Sequence, residues 1–212
     1  GGGFSDEEVI DNVKTFLFAG HETTSATLTF AVYELARDPS LLKQAREEIR
    51  SVVGSKGVTV GYKDTEKMPL VNAIIKESLR MYPPVIFTFR ETAQDLDMCG
   101  YTIPQGTQVV LHSYIYGRLP QWWDKPDVFM PKRWLVDDSA DKANPYRFLP
   151  FLIGCRQCVG NRFALYEAAS ILATLILRLD FKMAEGHPEV QPKQRITLRL
   201  HPKLELAVSR AK

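Results

Sequence analysis

The sequence predicts an α+β fold, mainly helical with small β-sheets, and three observations predict it. Long stretches with apolar residues at three- and four-residue spacing run until a proline stops them, as at Asp38-Pro39 and Pro83-Pro84. Short runs rich in Val, Ile, Phe and Thr cluster in two places only, after Pro84 and near the C-terminal end. Of the 212 residues, 45% are hydrophobic and 25% charged, the balance of an ordinary globular core and surface. That length suits one large domain or two small ones.

Composition also excludes classes of function. A net charge of +2 is too small to point to nucleic acid. Three cysteines, an odd number, argue against a disulfide scaffold and for a reducing compartment. Gly1-Gly2-Gly3 leads straight into Phe4 and an acidic helix start, without the look of a signal peptide or anchor. The longest apolar run, Ala168 to Leu177, is too short to span a bilayer and is flanked by Glu167 and Arg178.

Taken in order, Ser5-Asp6-Glu7-Glu8 reads as an N-cap with acidic first-turn residues. The helix it opens runs to Arg37, about 33 residues or roughly 50 Å. Val9, Val13, Phe16, Gly20, Thr23, Thr27 and Phe30 share one of its faces. Its centre, Ala19-Gly20-His21-Glu22-Thr23-Thr24, is weak in helix propensity. It reads either as a polar turn facing solvent or as an interruption of the hydrogen-bond ladder beside a ligand. A second, amphipathic helix spans Pro39 to Val53 and a polar loop Gly54 to Asp64. A third helix, about Met68 to Met81, carries Glu77 and Arg80 three apart and therefore on one face. Alone, that pair reads as an exposed ion pair of well under ~1 kcal/mol.

Strands are expected at Val85–Arg90, Leu96–Met98 and Thr107–Leu111, with a turn at Pro104-Gln105-Gly106. Pro120 to Pro150 has little periodicity but many prolines and aromatics, which suits a loop ordered by its own packing. A helix apolar nearly all round, and so deeply buried, is expected from about Cys158 to Arg178. Arg195–Leu200 and Leu204–Val208 read as closing strands.

The chemistry concentrates in Phe151-Leu152-Ile153-Gly154-Cys155-Arg156-Gln157-Cys158-Val159-Gly160. A Cys at a helix N-terminus meets unpaired backbone N–H groups and the positive dipole end, which favours its thiolate as a metal ligand. Gly154 and Gly160 permit close approach of a flat ligand, Arg156 suits a ligand carboxylate, and Phe151 suits shielding the sulfur. Three other readings compete. Cys155 and Cys158 have the C-x-x-C spacing of thiol–disulfide enzymes, though no βαβ unit precedes them. Zinc could take Cys99, Cys155, Cys158 and a His, though no paired ligand spacing supports it. Two inert cysteines are the general default.

The completed pattern F-x-x-G-x-R-x-C-x-G resembles the haem-thiolate monooxygenases, the cytochromes P450. Ala19-Gly20-x-Glu22-Thr23, Glu77-x-x-Arg80 and Pro131-Lys132-Arg133-Trp134 resemble three further motifs of that family, in the same order. The resemblance covers essentially the whole chain as the C-terminal part of a single domain. It implies that the family's N-terminal half, with its membrane anchor, is not among these residues. It implies haem b with Cys158 as axial thiolate to the iron. Glu22 and Thr23 would relay protons, Gly20 would leave room for O2, and Arg90 and Arg156 would hold propionates. Phe16, Ala19, Thr24, Val85, Ile86 and Phe87, with Thr197, would line an apolar pocket, and Glu77, Arg80 and Arg133 would form a buried triad.

It further implies hydroxylation of a small apolar organic substrate by O2, with electrons ultimately from NADPH through a cytochrome P450 reductase. The resemblance implies no nucleic-acid partner and, for the full-length parent, the cytosolic face of the endoplasmic reticulum membrane, with membrane contact only through the N-terminal anchor that these residues lack. Arg156, Arg162, Lys132 and Arg147 would present a basic face to that donor, or be ordinary solvated charge. The alternative is a non-catalytic fragment that holds haem weakly or not at all. The chain departs from the family at Leu152, where Gly is usual, and at Gly117, where His is usual.

Overall fold

A computed structural model describes residues 3–54, 60–136 and 144–211. Parts of the polar loop (55–59) and of the proline-rich stretch (137–143) lie outside the described residues. Helix α1, Asp6–Arg37, is the axis of the fold. Ser5 starts it with a capping box: Ser5 Oγ accepts the Glu8 N–H, and the Glu8 carboxylate accepts the Ser5 N–H at 2.8 Å. The helix is continuous, so the interruption considered at Ala19–Thr24 does not occur. The hydroxyls of Thr15, Thr23, Thr27 and Thr29 return to carbonyls one turn back and share acceptors with the ladder rather than breaking it.

Only the second half of α1 is covered. Thr24, Ala26, Thr27, Phe30, Ala31 and Leu35 are buried, whereas Val9, Val13 and Phe16 are exposed although they continue the same face. A helix of 32 residues, roughly 48 Å, reaches beyond the body that packs on it.

Asp38 ends α1 and caps α2, Pro39–Val53, by accepting the Leu41 N–H at 2.9 Å. The polar face of α2 finishes two neighbours. Glu48 accepts the N–H groups of Leu70 and Val71 (2.8 and 3.0 Å) at the start of α4, Pro69–Met81; the short α3, Tyr62–Thr65, lies between α2 and α4. Arg46 donates to the carbonyls of Ile176 and Leu179 (2.9 and 2.8 Å) at the end of α6, Asn161–Arg178, and pairs with Asp180. Each charge sits at the helix end whose dipole it complements. α5, Ser113–Tyr116, precedes the proline-rich stretch.

α6 starts three residues later than expected and is not buried all round. Ala168, Ala169, Leu172, Ala173 and Ile176 face the core, while Phe163, Tyr166 and Ile171 are exposed. The main core joins α1, α2, α4 and α6; a second cluster sets Phe30 and Tyr82, stacked at 4.3 Å, against Val190, Leu198 and Leu200.

Among the described residues the strands form four antiparallel pairs rather than one sheet. β1 (Thr88–Glu91) pairs with β4 (Gln108–Leu111), and β2 (Leu96–Met98) with β3 (Tyr101–Ile103). β5 (Leu179–Met183) pairs with β8 (Leu206–Arg210), and β6 (Gln191–Gln194) with β7 (Leu198–His201). The first strand is therefore shorter than expected, with Val85–Phe87 outside it. β3, β5 and β6 are not expected from the sequence: β3 is only three residues long, β5 alternates but follows directly on the last turn of α6, and β6, Gln-Pro-Lys-Gln, has no apolar alternation.

Two predictions arise from the core. A Cβ on Gly117 would collide with the Arg80 carbonyl oxygen, so a larger residue here requires the backbone to shift. Gly117→Ala is expected to lower unfolding stability by about 3 kcal/mol, and an unchanged urea midpoint would refute this. Glu34 is buried, accepts the Tyr82 O–H at 2.6 Å and pairs with Arg37 at 3.3 Å. Burial raises its carboxyl pKa, against the opposing bonds from Tyr82 and Arg37. Its contribution to stability is full below the ordinary value of 4.5 and is lost as pH rises through the raised one. Glu34→Gln is expected to flatten that slope in thermal scans from weakly acid to neutral pH; an identical slope in the two proteins would sink the assignment.

Candidate active site

Glu77 on α4 is fully buried and saturated with donors. Arg80 Nε and Nη2 donate to its two oxygens at 2.9 and 2.8 Å, and Arg133 Nε donates at 3.0 Å. The Met130 N–H and the Trp134 indole N–H add bonds of 2.8 Å each. Arg80, 1% exposed, also reaches the carbonyls of Gly117, Pro126 and Val128. The bonds from Arg133, Met130 and Trp134 to Glu77, and from Arg80 to Pro126 and Val128, close part of the proline-rich stretch onto α4, which is how a segment without periodicity acquires one conformation. Trp134 and Met130 have no signal in the sequence for this role.

The same network carries order to the cysteine loop. Trp134 packs on Trp123 (5.4 Å) and on Phe148 (4.6 Å), and Arg147 lies over Trp123 at 4.6 Å. Phe148 and Phe151 pack against the main core. The Phe151 carbonyl accepts the Cys158 N–H at 2.8 Å, and the Gly154 carbonyl accepts the Gln157 N–H at 3.0 Å. A 3₁₀ turn, Gly154–Arg156, lies inside the loop, and Gly160 caps α6. Cys158 therefore stands just outside the helix rather than on it. Its thiol, like those of Cys155 and Cys99, is free and exposed.

Leu152 has φ +60°, a left-handed conformation that costs a branched side chain about 1 kcal/mol and glycine almost nothing. Leu152→Gly is thus expected to be about 1 kcal/mol more stable than Leu152→Ala in denaturant titration, the reverse of the usual order. Alanine ranking above glycine would show the loop relaxing elsewhere.

On α1, Gly20 has open space where a Cβ would stand. The Thr23 hydroxyl donates to the Ala19 carbonyl at 2.8 Å. Glu22 is tied to the C-terminal part of the chain, its Oε1 accepting from Thr197 Oγ1 at 2.8 Å and pairing with Arg199 Nη2 at 2.5 Å. Thr24 is buried and its hydroxyl has no partner among the described residues.

The expected pocket residues are not enclosed together. Phe16, Ala19, Val85 and Phe87 are exposed, and Ile86 packs on the second core. An open depression of ≈ 260 Å³ on the paired strands β5 and β8 is lined by Asp180, Phe181, Lys182, Ala207, Val208 and Ser209, none of them in the expected set. Arg90 donates to the Phe89 carbonyl at 2.7 Å, and Arg156 is exposed. Of the expected basic face, Lys132 and Arg162 are exposed, while Arg147 is engaged with Trp123.

Among the described residues no three His, Cys, Asp or Glu side chains gather to hold a metal, which removes the zinc reading. An exposed thiol with no other metal-ligating side chains gathered beside it among the described residues suits an iron whose other ligands come from a macrocycle. Gly154 and Gly160 on the loop, and Gly20 on α1, have the open space a flat group requires. The residues fit haem.

The model of the family described as Cytochrome P450 matches residues 1–208. The chain is 37% identical to Cytochrome P450 4d1 of Drosophila melanogaster over 189 residues, 88% of this chain and 37% of the relative. It is 34% identical to Cytochrome P450 4d2 of the same organism over 200 residues, 94% of this chain and 39% of the relative. It is 35% identical to Cytochrome P450 4Z1 of Homo sapiens over 198 residues, 92% of this chain and 38% of the relative. The chain spans a little over a third of the length of these curated relatives.

Proposed function

Because the chain belongs to the cytochrome P450 family, we propose that it is the C-terminal part of the single domain of a haem-thiolate monooxygenase, with Cys158 as the axial ligand. The observation that carries this reading is the exposed Cys158 thiol on a loop pinned through Phe151, Phe148 and Trp134 to the buried Glu77. Haem b, when bound, supplies activation of O2 and transfer of one oxygen atom to an apolar substrate.

The chain's own residues prepare that chemistry. Cys158 provides the thiolate, and Gly154 and Gly160 keep the loop clear of side chains. Arg90 and Arg156 neutralise the propionates. Gly20 leaves room for O2, and the Thr23 oxygen, whose proton is committed to Ala19, accepts a hydrogen bond there. Glu22 exchanges protons with water on that side. Of Phe16, Ala19, Thr24, Val85, Ile86 and Phe87, the exposed Phe16, Ala19, Val85 and Phe87 would become an apolar wall for substrate only once further protein closes over them. Electrons come ultimately from NADPH through a reductase, with Lys132 and Arg162 facing the donor. Among the described residues no helix is long and apolar enough to cross a membrane; attachment to the endoplasmic reticulum would fall to a segment upstream.

A second reading is favoured by one observation. Val9, Ile10, Val13, Phe16, Leu17 and Phe18 are 47–69% exposed, so the isolated 212 residues leave half of α1 uncovered and hold haem weakly. Absorption of the reduced, carbon-monoxide-bound protein separates the two. The monooxygenase reading expects the red-shifted Soret band of thiolate ligation once upstream protein is present, and a weak or absent band for the 212 residues alone. A full band from the 212 residues would overturn the fragment reading, and no band with the upstream protein would overturn the first.

A further inference from the structure

Arg199 has no role in the sequence reading, yet it makes the shortest contact to Glu22. Its strand explains why it can. Leu198 and Leu200 of β7 are buried in the second core, and the Leu198 N–H donates to the Pro84 carbonyl at 2.9 Å. Alternation then turns Thr197 and Arg199 to the other side, against α1. Arg199 Nη2 lies 2.5 Å from Glu22 Oε1, and Thr197, 3% exposed, donates to the same oxygen at 2.8 Å. Arg199 Nη1 also reaches Ser25 Oγ at 3.5 Å, and Ser25 in turn donates to the Glu22 carbonyl at 3.1 Å. Both side-chain bonds fall on Oε1, and neither Arg199 nor Thr197 engages Oε2.

We infer that Arg199, with Thr197, is a positioning residue that clamps the Glu22 carboxylate as an anion against β7 and so decides when this acid takes up a proton. The inference rests on the role proposed for Glu22 beside Thr23. The charged groups acting on Glu22 are Arg199 from β7 and His21 from α1 itself. The Arg199 bond, followed by the Thr197 bond, holds the Glu22 carboxyl below its ordinary pKa against the effect of burial, and the charges of Arg199 and His21 add to the lowering. The clamp's contribution to stability is present above the ordinary value of 4.5 and is lost as pH falls through the lowered one. A carboxylate pinned in this way accepts protons at neutral pH. It donates only after it has taken up a proton or been released from Arg199.

The test follows the Glu22 carboxyl by infrared difference, parent minus Glu22→Gln, across pH in the haem-loaded full-length protein. In Arg199→Met the Glu22 midpoint is expected to move up, in Arg199→Lys to return part of the way, and in Thr197→Val to move up by less. The rate should follow: the pH profile of kcat in Arg199→Met shifts upward with the Glu22 midpoint, with KM unchanged. An unmoved midpoint in Arg199→Met overturns the inference even if thermal stability drops, because a purely structural tie would do just that. A moved midpoint with an unmoved rate profile overturns it as well, and locates the fault in the role of Glu22. Failure of the haem reading is separate, because it is read from the Cys158 absorption band.

Discussion

Glu77→Ala is expected to lower unfolding stability by about 3–5 kcal/mol, the largest effect of any single substitution outside the cysteine loop. Five donors converge on the Glu77 carboxylate, from Arg80 (two), Arg133, Met130 and Trp134. Removing it leaves the Arg80 guanidinium, 1% exposed, without its counter-charge. Burying an unbalanced charge costs more than the pair itself contributes, so Glu77→Ala with Arg80→Met should cost less than the sum of the singles. Because Trp134 and the Met130 N–H bind the same carboxylate, the proline-rich stretch should loosen along with α4. Urea denaturation gives the first number, and the rise in proteolysis between Gly117 and Trp134 gives the second. A loss under about 1 kcal/mol would mean that the network is peripheral to stability.

Cys158→Ser is expected to abolish the red-shifted reduced, carbon-monoxide-bound band, whereas Cys155→Ser keeps it. Both thiols are exposed and three residues apart, so accessibility does not distinguish them. Backbone order does. Cys158 is the residue whose N–H closes the loop on Phe151, at 2.8 Å, while Cys155 sits inside the 3₁₀ turn after the left-handed Gly154. Thiolate ligation is what gives that band its position, and a Ser oxygen does not reproduce it. Loss of the band in Cys155→Ser as well would make the ligand assignment wrong. The two predictions are linked: Glu77→Ala should weaken haem retention as well, because Trp134 and Phe148 stand between that carboxylate and the loop.

Much of the framework is legible in local pattern. Proline stops and three- and four-residue spacing locate α1, α2 and α4 within a few residues, because helix formation depends on neighbours one turn apart. The burial of those helices is less legible. The face carrying Val9, Val13 and Phe16 looks the same in sequence as the face carrying Phe30, yet only the latter is covered. Three-residue spacing brings Glu77 and Arg80 together and family resemblance adds Arg133, but spacing alone gives a solvated ion pair. Their burial depends on Trp123, Trp134 and the carbonyls of residues 117–128.

What the sequence determined by itself is the order of the chemistry: an acid–alcohol pair mid-helix, a Glu-x-x-Arg, a Pro-Lys-Arg-Trp segment, then the cysteine loop. Short motifs survive without knowledge of the fold because their residues act within one turn or loop. Tertiary structure alone decided that Gly117 must lie against the Arg80 carbonyl, that Leu152 adopts a left-handed backbone, and that Arg199 reaches Glu22. These contacts join positions with no common period, and the energy that selects them comes from desolvation and packing, which exist only once the distant segments meet.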